Sequence, residues 1–174
     1  MTASSEIIPD HPLADDAALL ALAELLHGGI RPRRRTLWFV LLDGERRPLP
    51  VVVPVDLVPE LPDPLGVDNL GRSWHQILRG EPGASVVLML ERPGPGDPSF
   101  EDRAWHAALR SAAAEQGLTV AAFFLATADG VAALAPEEAP GATAHDARAA
   151  DGAAPGPGPG VRPRWPRAVP TRRR

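Results

Sequence analysis

The chain contains no cysteine, no lysine and no long apolar run. Without cysteine it can form no disulfide bond, no thiolate zinc site and no cysteine nucleophile. All 18 basic residues are arginine, and alanine, glycine and proline are abundant. This composition is most simply explained by a GC-rich coding bias, which carries no information about function.

No segment has the length and apolar character of a bilayer span, and the first ten residues contain neither a basic nor an apolar signal region. We therefore predict a cytoplasmic protein without membrane association. Of the 174 residues, 44% are hydrophobic, which suits one core of ordinary size.

Hydrophobic periodicity and turn signals predict a single α/β domain over residues 15–135, with the element order αββαβαββ. Asp15 or Asp16 is expected to cap the first helix. The second strand contains Pro50 and Pro54, which donate no ladder hydrogen bonds, so it should lie at an edge of the sheet. Residues 84–91 are apolar without alternation, which is typical of a central strand. The pattern predicts a mixed sheet of about five strands flanked by three helices.

The segments on either side of this domain show no apolar periodicity. Residues 1–14 are predicted to be a flexible leader, and residues 136–174, rich in alanine, glycine and proline, a disordered tail. Truncation near Glu138 is therefore expected to leave a folded domain.

The tail ends in a basic arm. From residue 161 onward there are six arginines and no acidic residue, whereas the rest of the chain holds 12 arginines and 22 acidic residues. The predicted contact residues are Arg162, Arg164, Trp165 and Arg167. Such a segment can bind phosphates and stack on a base, but the acidic body would repel nucleic acid. We expect weak, salt-sensitive binding to an acidic protein surface, including the chain's own, in preference to nucleic acid.

The most informative stretch is residues 84–102, an apolar strand followed by a Pro/Gly-rich loop and the start of a helix. Ser99 stands at the N-cap with Asp102 three residues later, the arrangement of a capping box. Phe100 and Trp105 are predicted to face the core. With Gly96-Asp97-Pro98 followed by Ser99-Phe100-Glu101-Asp102, the stretch resembles the metal site of the RadC-type JAB/MPN domains. The resemblance covers about residues 35–134 and implies a curved mixed sheet between helices.

In that family, two histidines and the Ser-x-x-Asp carboxylate hold a zinc ion, and a glutamate on the first strand is the general base. The histidine positions correspond here to Met89 and Glu91, or to Glu91 and Pro93 if the loops are aligned. The glutamate position corresponds to Arg35, a permanent cation. The resemblance therefore implies no cofactor, no catalytic residue and a vestigial site made of Arg35, Glu91, Ser99 and Asp102.

Two functions follow from the resemblance. The first is a catalytically inactive JAB/RadC-like domain that serves as a protein-interaction module for an unknown partner. The second is a hydrolase of the same type, either with an unorthodox metal site at Glu91, Asp102 and His106 or working without metal. In the repeated dipeptides Trp74-His75 and Trp105-His106, we expect each tryptophan to face the core and each histidine the solvent.

If zinc is lost from such a site, the buried carboxylates need another counter-ion, because an uncompensated buried charge costs several kcal/mol. Arg35 is the candidate, with a predicted hydrogen bond to Asp102 or Glu91. A shift of the alignment by one residue would give this role to Arg34.

Overall fold

A computed structural model describes residues 8–135, which form an α/β fold of five strands and three helices. The elements follow the predicted order: α1 (Asp16–His27), β1 (Thr36–Leu42), β2 (Pro48–Asp56), α2 (Pro64–Leu78), β3 (Ser85–Glu91), α3 (Phe100–Glu115), β4 (Thr119–Thr127) and β5 (Gly130–Ala133). None of these helices is long and apolar enough to cross a membrane. The predicted tail and its arm, with Arg162, Arg164, Trp165 and Arg167, lie outside the described residues.

The strands form one mixed sheet in the order β2-β1-β3-β4-β5. β3 pairs antiparallel with β1 and parallel with β4, so it is a central strand as predicted. β2, which contains prolines at positions 48, 50 and 54, is an edge strand as predicted. Because parallel neighbours need a crossover connection, α3 lies between β3 and β4 in the chain.

Each face of the sheet has its own hydrophobic core. On one face, α2 and α3 contribute Trp74 and Trp105, which share a core with Leu88 of β3. On the other, α1 contributes Leu19, which shares a core with Met89. Successive strand residues point to opposite faces, so β3 is buried on both sides and its sequence is apolar without alternation.

Side-chain caps fix the starts of the three helices. Asp15 caps α1, Asp63 caps α2 and Ser99 caps α3, each accepting a hydrogen bond from the backbone N–H three residues later at 2.8–3.3 Å. Such a cap contributes about 1 kcal/mol to stability.

Leu13 and Phe100 differ in exposure from what the sequence predicted. Leu13, placed in the flexible leader, is buried, and Arg46 holds it by a hydrogen bond between Leu13 N–H and the Arg46 carbonyl at 3.0 Å and one from Arg46 Nε to the Leu13 carbonyl at 2.7 Å. The packed domain therefore begins before residue 15. Phe100 is 73% exposed. Asp102 points into the protein, and a helical residue two positions away points in nearly the opposite direction.

Candidate functional site

The loop after β3 is organised by Arg92, the first residue beyond the strand. Arg92 is buried, and its side chain contacts Asp102 of α3. Its Nε lies 2.9 Å from each carboxylate oxygen of Asp102, and its Nη2 lies 2.7 Å from Oδ2. Charge-assisted pairs of this kind are the stronger hydrogen bonds in proteins, so this pair fixes α3 to the end of β3.

The other N–H groups of Arg92 bind the loop itself. Nη1 donates to the carbonyl oxygens of Pro93 at 3.2 Å and Pro95 at 2.9 Å, and Nη2 donates to that of Asp97 at 3.0 Å. Residues 93–98 include three prolines, which supply carbonyl groups but no N–H. The loop therefore has an excess of acceptors, and all five N–H groups of the Arg92 guanidinium are engaged by the loop and Asp102.

Asp102 is fully buried and receives two further donors. The backbone N–H of Ser99 donates to Oδ2 at 2.9 Å, and Arg35 Nη1 donates to Oδ1 at 3.3 Å. Burial by itself raises the pKa of Asp102, but the hydrogen bonds from Arg92 and Ser99, together with the charge of Arg92, outweigh burial and hold this pKa below its usual value. The carboxylate is ionised and surrounded by donors.

The predicted hydrogen bond between Arg35 and Asp102 is therefore present, but Arg92 is the principal counter-ion. Arg35 makes one contact at 3.3 Å, whereas Arg92 makes three at 2.7–2.9 Å. Arg34 does not take this place, since it pairs with Asp56 at 2.9 Å near the surface. Sequence reasoning missed Arg92, although an arginine between an apolar strand and a loop poor in N–H groups was a usable signal.

Glu91 does not join Asp102, so the predicted vestigial site divides between the two faces of the sheet. Glu91 accepts hydrogen bonds from His27 Nδ1 at 2.9 Å and from Trp38 Nε1 at 3.1 Å. Glu91 and Arg92 are neighbours at the end of a strand and point to opposite faces. Side chains also alternate between faces along β1, and Arg35, just before β1, points to the face of the sheet on which Asp102 lies.

His106 also differs from its prediction. His75 is exposed and Trp74 and Trp105 are buried, as expected, but His106 is buried with its ring centroid 4.7 Å from that of Phe123. Burial and, to a lesser extent, the positive charge of Arg110 lower the pKa of His106.

The alternative metal site at Glu91, Asp102 and His106 is not assembled. Asp102 and His106 are four residues apart on α3 and share a helix face, but Glu91 is engaged by His27 and Trp38 on the opposite face of the sheet. Among residues 8–135, no three His, Asp or Glu side chains are grouped so that they could hold a metal ion.

Comparisons with known proteins add no relative: no family model matches the chain, and no curated protein matches it at a significant level. The resemblance to the RadC-type JAB/MPN domains thus rests on the motif residues and the order of elements.

Proposed function

We propose that the chain is a catalytically inactive JAB/RadC-like domain that acts as a protein-interaction module. The observation that supports this proposal best is the Arg92–Asp102 pair. In the resembled family, the carboxylate at the position of Asp102 is a zinc ligand. Here both of its oxygens accept hydrogen bonds from Arg92, and Ser99 and Arg35 supply the remaining donors. A carboxylate engaged in this way stabilises the fold and offers no free oxygen to a metal.

An exposed apolar segment provides a candidate surface for the interaction. Leu57, Leu61 and Leu65, in the β2–α2 connection and the first turn of α2, are 54–76% exposed. Leu57 has a φ of +58°, which is unfavourable for a residue with a Cβ atom. Residues in strained backbone conformations are more frequent at functional surfaces than elsewhere.

The interaction is tested by affinity capture with two matched triple variants. Leu57→Ser/Leu61→Ser/Leu65→Ser removes the proposed surface, and Leu25→Ser/Val51→Ser/Ile77→Ser removes three other exposed apolar side chains. We expect the native chain and the control variant to retain the same stoichiometric partner and the first variant to lose it. Equal retention by all three proteins would contradict this surface.

The loss of catalysis is tested separately by elemental analysis of protein purified without chelator. We expect zinc well below one equivalent in the native chain. Stoichiometric zinc that is lost in Asp102→Asn would contradict the proposal and favour the hydrolase.

A further inference from the structure

A second candidate site lies on the α1 face of the sheet. There the end of α1 meets the start of β1 and the ends of β2 and β3. It is a cavity of about 480 Å³, a size typical of small-molecule sites. Its most buried ionisable groups are His27 and Glu91, whose side chains are 7% and 15% exposed. Trp38 and Leu26 add apolar surface, and the exposed Arg31 and Arg33 also line it.

The acidic groups of this cavity already have partners. Glu91 accepts from His27 and Trp38, as described above. Asp56 pairs with Arg34 at 2.9 Å and accepts from the Thr36 hydroxyl at 2.9 Å. Both carboxylates are thus hydrogen-bonded, and the lining holds three arginines, at 31, 33 and 34, against two acidic residues, so its formal charge is positive.

Arg31 and Arg33 are different. Within residues 8–135, neither makes a salt bridge or a side-chain hydrogen bond to any described residue. Two guanidinium groups without partners in this part of the chain, beside a cavity with more arginines than acidic residues, make it attractive to an anion.

His27 adds a polar group whose proton is placed by Glu91. A carboxylate can only accept, so the 2.9 Å contact requires the proton of His27 to be on Nδ1. Within residues 8–135, Nε2 makes no hydrogen bond. It is also not one of the buried polar atoms that lack a partner, so part of its surface is accessible. It is therefore available to a molecule in the cavity.

We propose that this cavity binds a small organic oxyanion, with its phosphate or carboxylate group between Arg31 and Arg33 and its apolar or ring portion against Trp38. His27 Nε2 accepts from a ligand O–H or N–H when the imidazole is neutral. A small molecule suits the site better than a polymer, because the cavity holds about 480 Å³ and its arginines all come from the short connection between α1 and β1. This site shares no residue with the Arg92–Asp102 cluster. Its test therefore does not depend on whether the proposed interaction function is correct.

The test is a titration of the full chain followed by the indole N–H resonance of Trp38, which is assigned with Trp38→Phe. The probes are phenyl phosphate, phenylacetate and inorganic phosphate. We expect saturable shifts with phenyl phosphate or phenylacetate, and weaker binding of inorganic phosphate, which lacks the apolar portion. The phenyl compound that binds more tightly identifies the oxyanion. No saturable shift with either up to about 10 mM would overturn the proposal.

A matched pair of variants shows whether the site is specific. Arg31→Ala/Arg33→Ala is expected to weaken binding of the better probe by about tenfold or more, since it removes both charged hydrogen-bond donors proposed to hold the oxyanion. Arg103→Ala/Arg110→Ala removes the same charge from exposed positions of α3 and should change nothing. Equal loss in both variants would show a non-specific charge effect and overturn the proposal. So would displacement of the probe by a single-stranded oligonucleotide that binds more tightly, which would indicate a nucleic-acid surface.

Discussion

Asp102 and Glu91 are two shielded carboxylates near the end of β3, but they lie on opposite faces of the sheet and have different kinds of partner. Asp102 accepts from two permanently charged arginines and a backbone N–H. Glu91 accepts from an imidazole and an indole. In the first arrangement both oxygens of Asp102 and all five N–H groups of Arg92 form hydrogen bonds within the fold. The second leaves Nε2 of His27 for a further contact, beside a cavity.

The largest expected effect is on the Asp102 side. Arg92→Ala leaves a fully buried carboxylate with Arg35 as its only charged partner among residues 8–135, and it leaves the carbonyl groups of the loop without their donor. Breaking a buried pair by removing one partner costs about 3–5 kcal/mol. We expect a loss of this size in the free energy of unfolding, measured by urea denaturation.

A double variant distinguishes the pair from the rest of the packing. Arg92→Met/Asp102→Leu removes both charges and should recover part of the stability lost in Arg92→Ala, because the buried carboxylate is gone while the loop carbonyls still lack the donors of Arg92. Exposed Arg79→Ala is the control and should change the free energy of unfolding by less than about 0.5 kcal/mol. An Arg92→Ala variant as stable as this control would refute the proposed role.

A smaller effect is expected for Arg35→Ala. Arg35 makes a single contact of 3.3 Å with a carboxylate that Arg92 already compensates. We expect a loss of about 1.5 kcal/mol in the free energy of unfolding, the lower range for a hydrogen bond to a charged group. A loss larger than that of Arg92→Ala would reverse the assignment of the principal counter-ion.

The sequence predicted the fold more completely than the site. Element order, the edge position of β2, the central position of β3 and the caps of α1 and α3 depend on local patterns and turn residues, which are visible in the chain. The capping box of Ser99 and Asp102 was also predictable, because it is formed within one helical turn.

The partners of each carboxylate depend on the face of the sheet to which its side chain points. Glu91 and Arg92 are adjacent, and a shift of one residue in the assumed end of β3 exchanges their faces. The motif alignment placed Glu91 with Asp102, whereas the pleat places Arg92 there. His27 was also missed as a partner of Glu91, because the two are 64 positions apart and only the packing of α1 on the sheet brings them together.

Lowering the pH should reduce the free energy of unfolding in two steps, both caused by residues on the Asp102 face of the sheet. The pKa of His106 is lower in the folded chain than its ordinary value of 6.5, so the unfolded chain binds the proton first and stability falls as the pH drops below 6.5. The pKa of Asp102 is likewise lowered from 3.8, so its contribution is lost as the pH falls further, through the folded-state pKa.

Urea denaturation over a pH series measures the first step. His106→Phe keeps a ring against Phe123 and should lose the decline that begins at pH 6.5, whereas exposed His75→Gln should keep it. An unchanged decline in His106→Phe would assign it to another group.

The smallest effect on stability, and the most specific test of the Glu91 side, is expected for Glu91→Gln. The glutamine carbonyl can accept from Trp38 Nε1, and its NH₂ group then points at His27 Nδ1. Since a donor cannot face a donor, the proton of His27 must move from Nδ1 to Nε2. The number of hydrogen bonds is kept, so the change in the free energy of unfolding should stay below about 1 kcal/mol. Imidazole ¹⁵N chemical shifts report the tautomer directly. A His27 that keeps its proton on Nδ1 in Glu91→Gln would show that Glu91 does not set the state of this histidine.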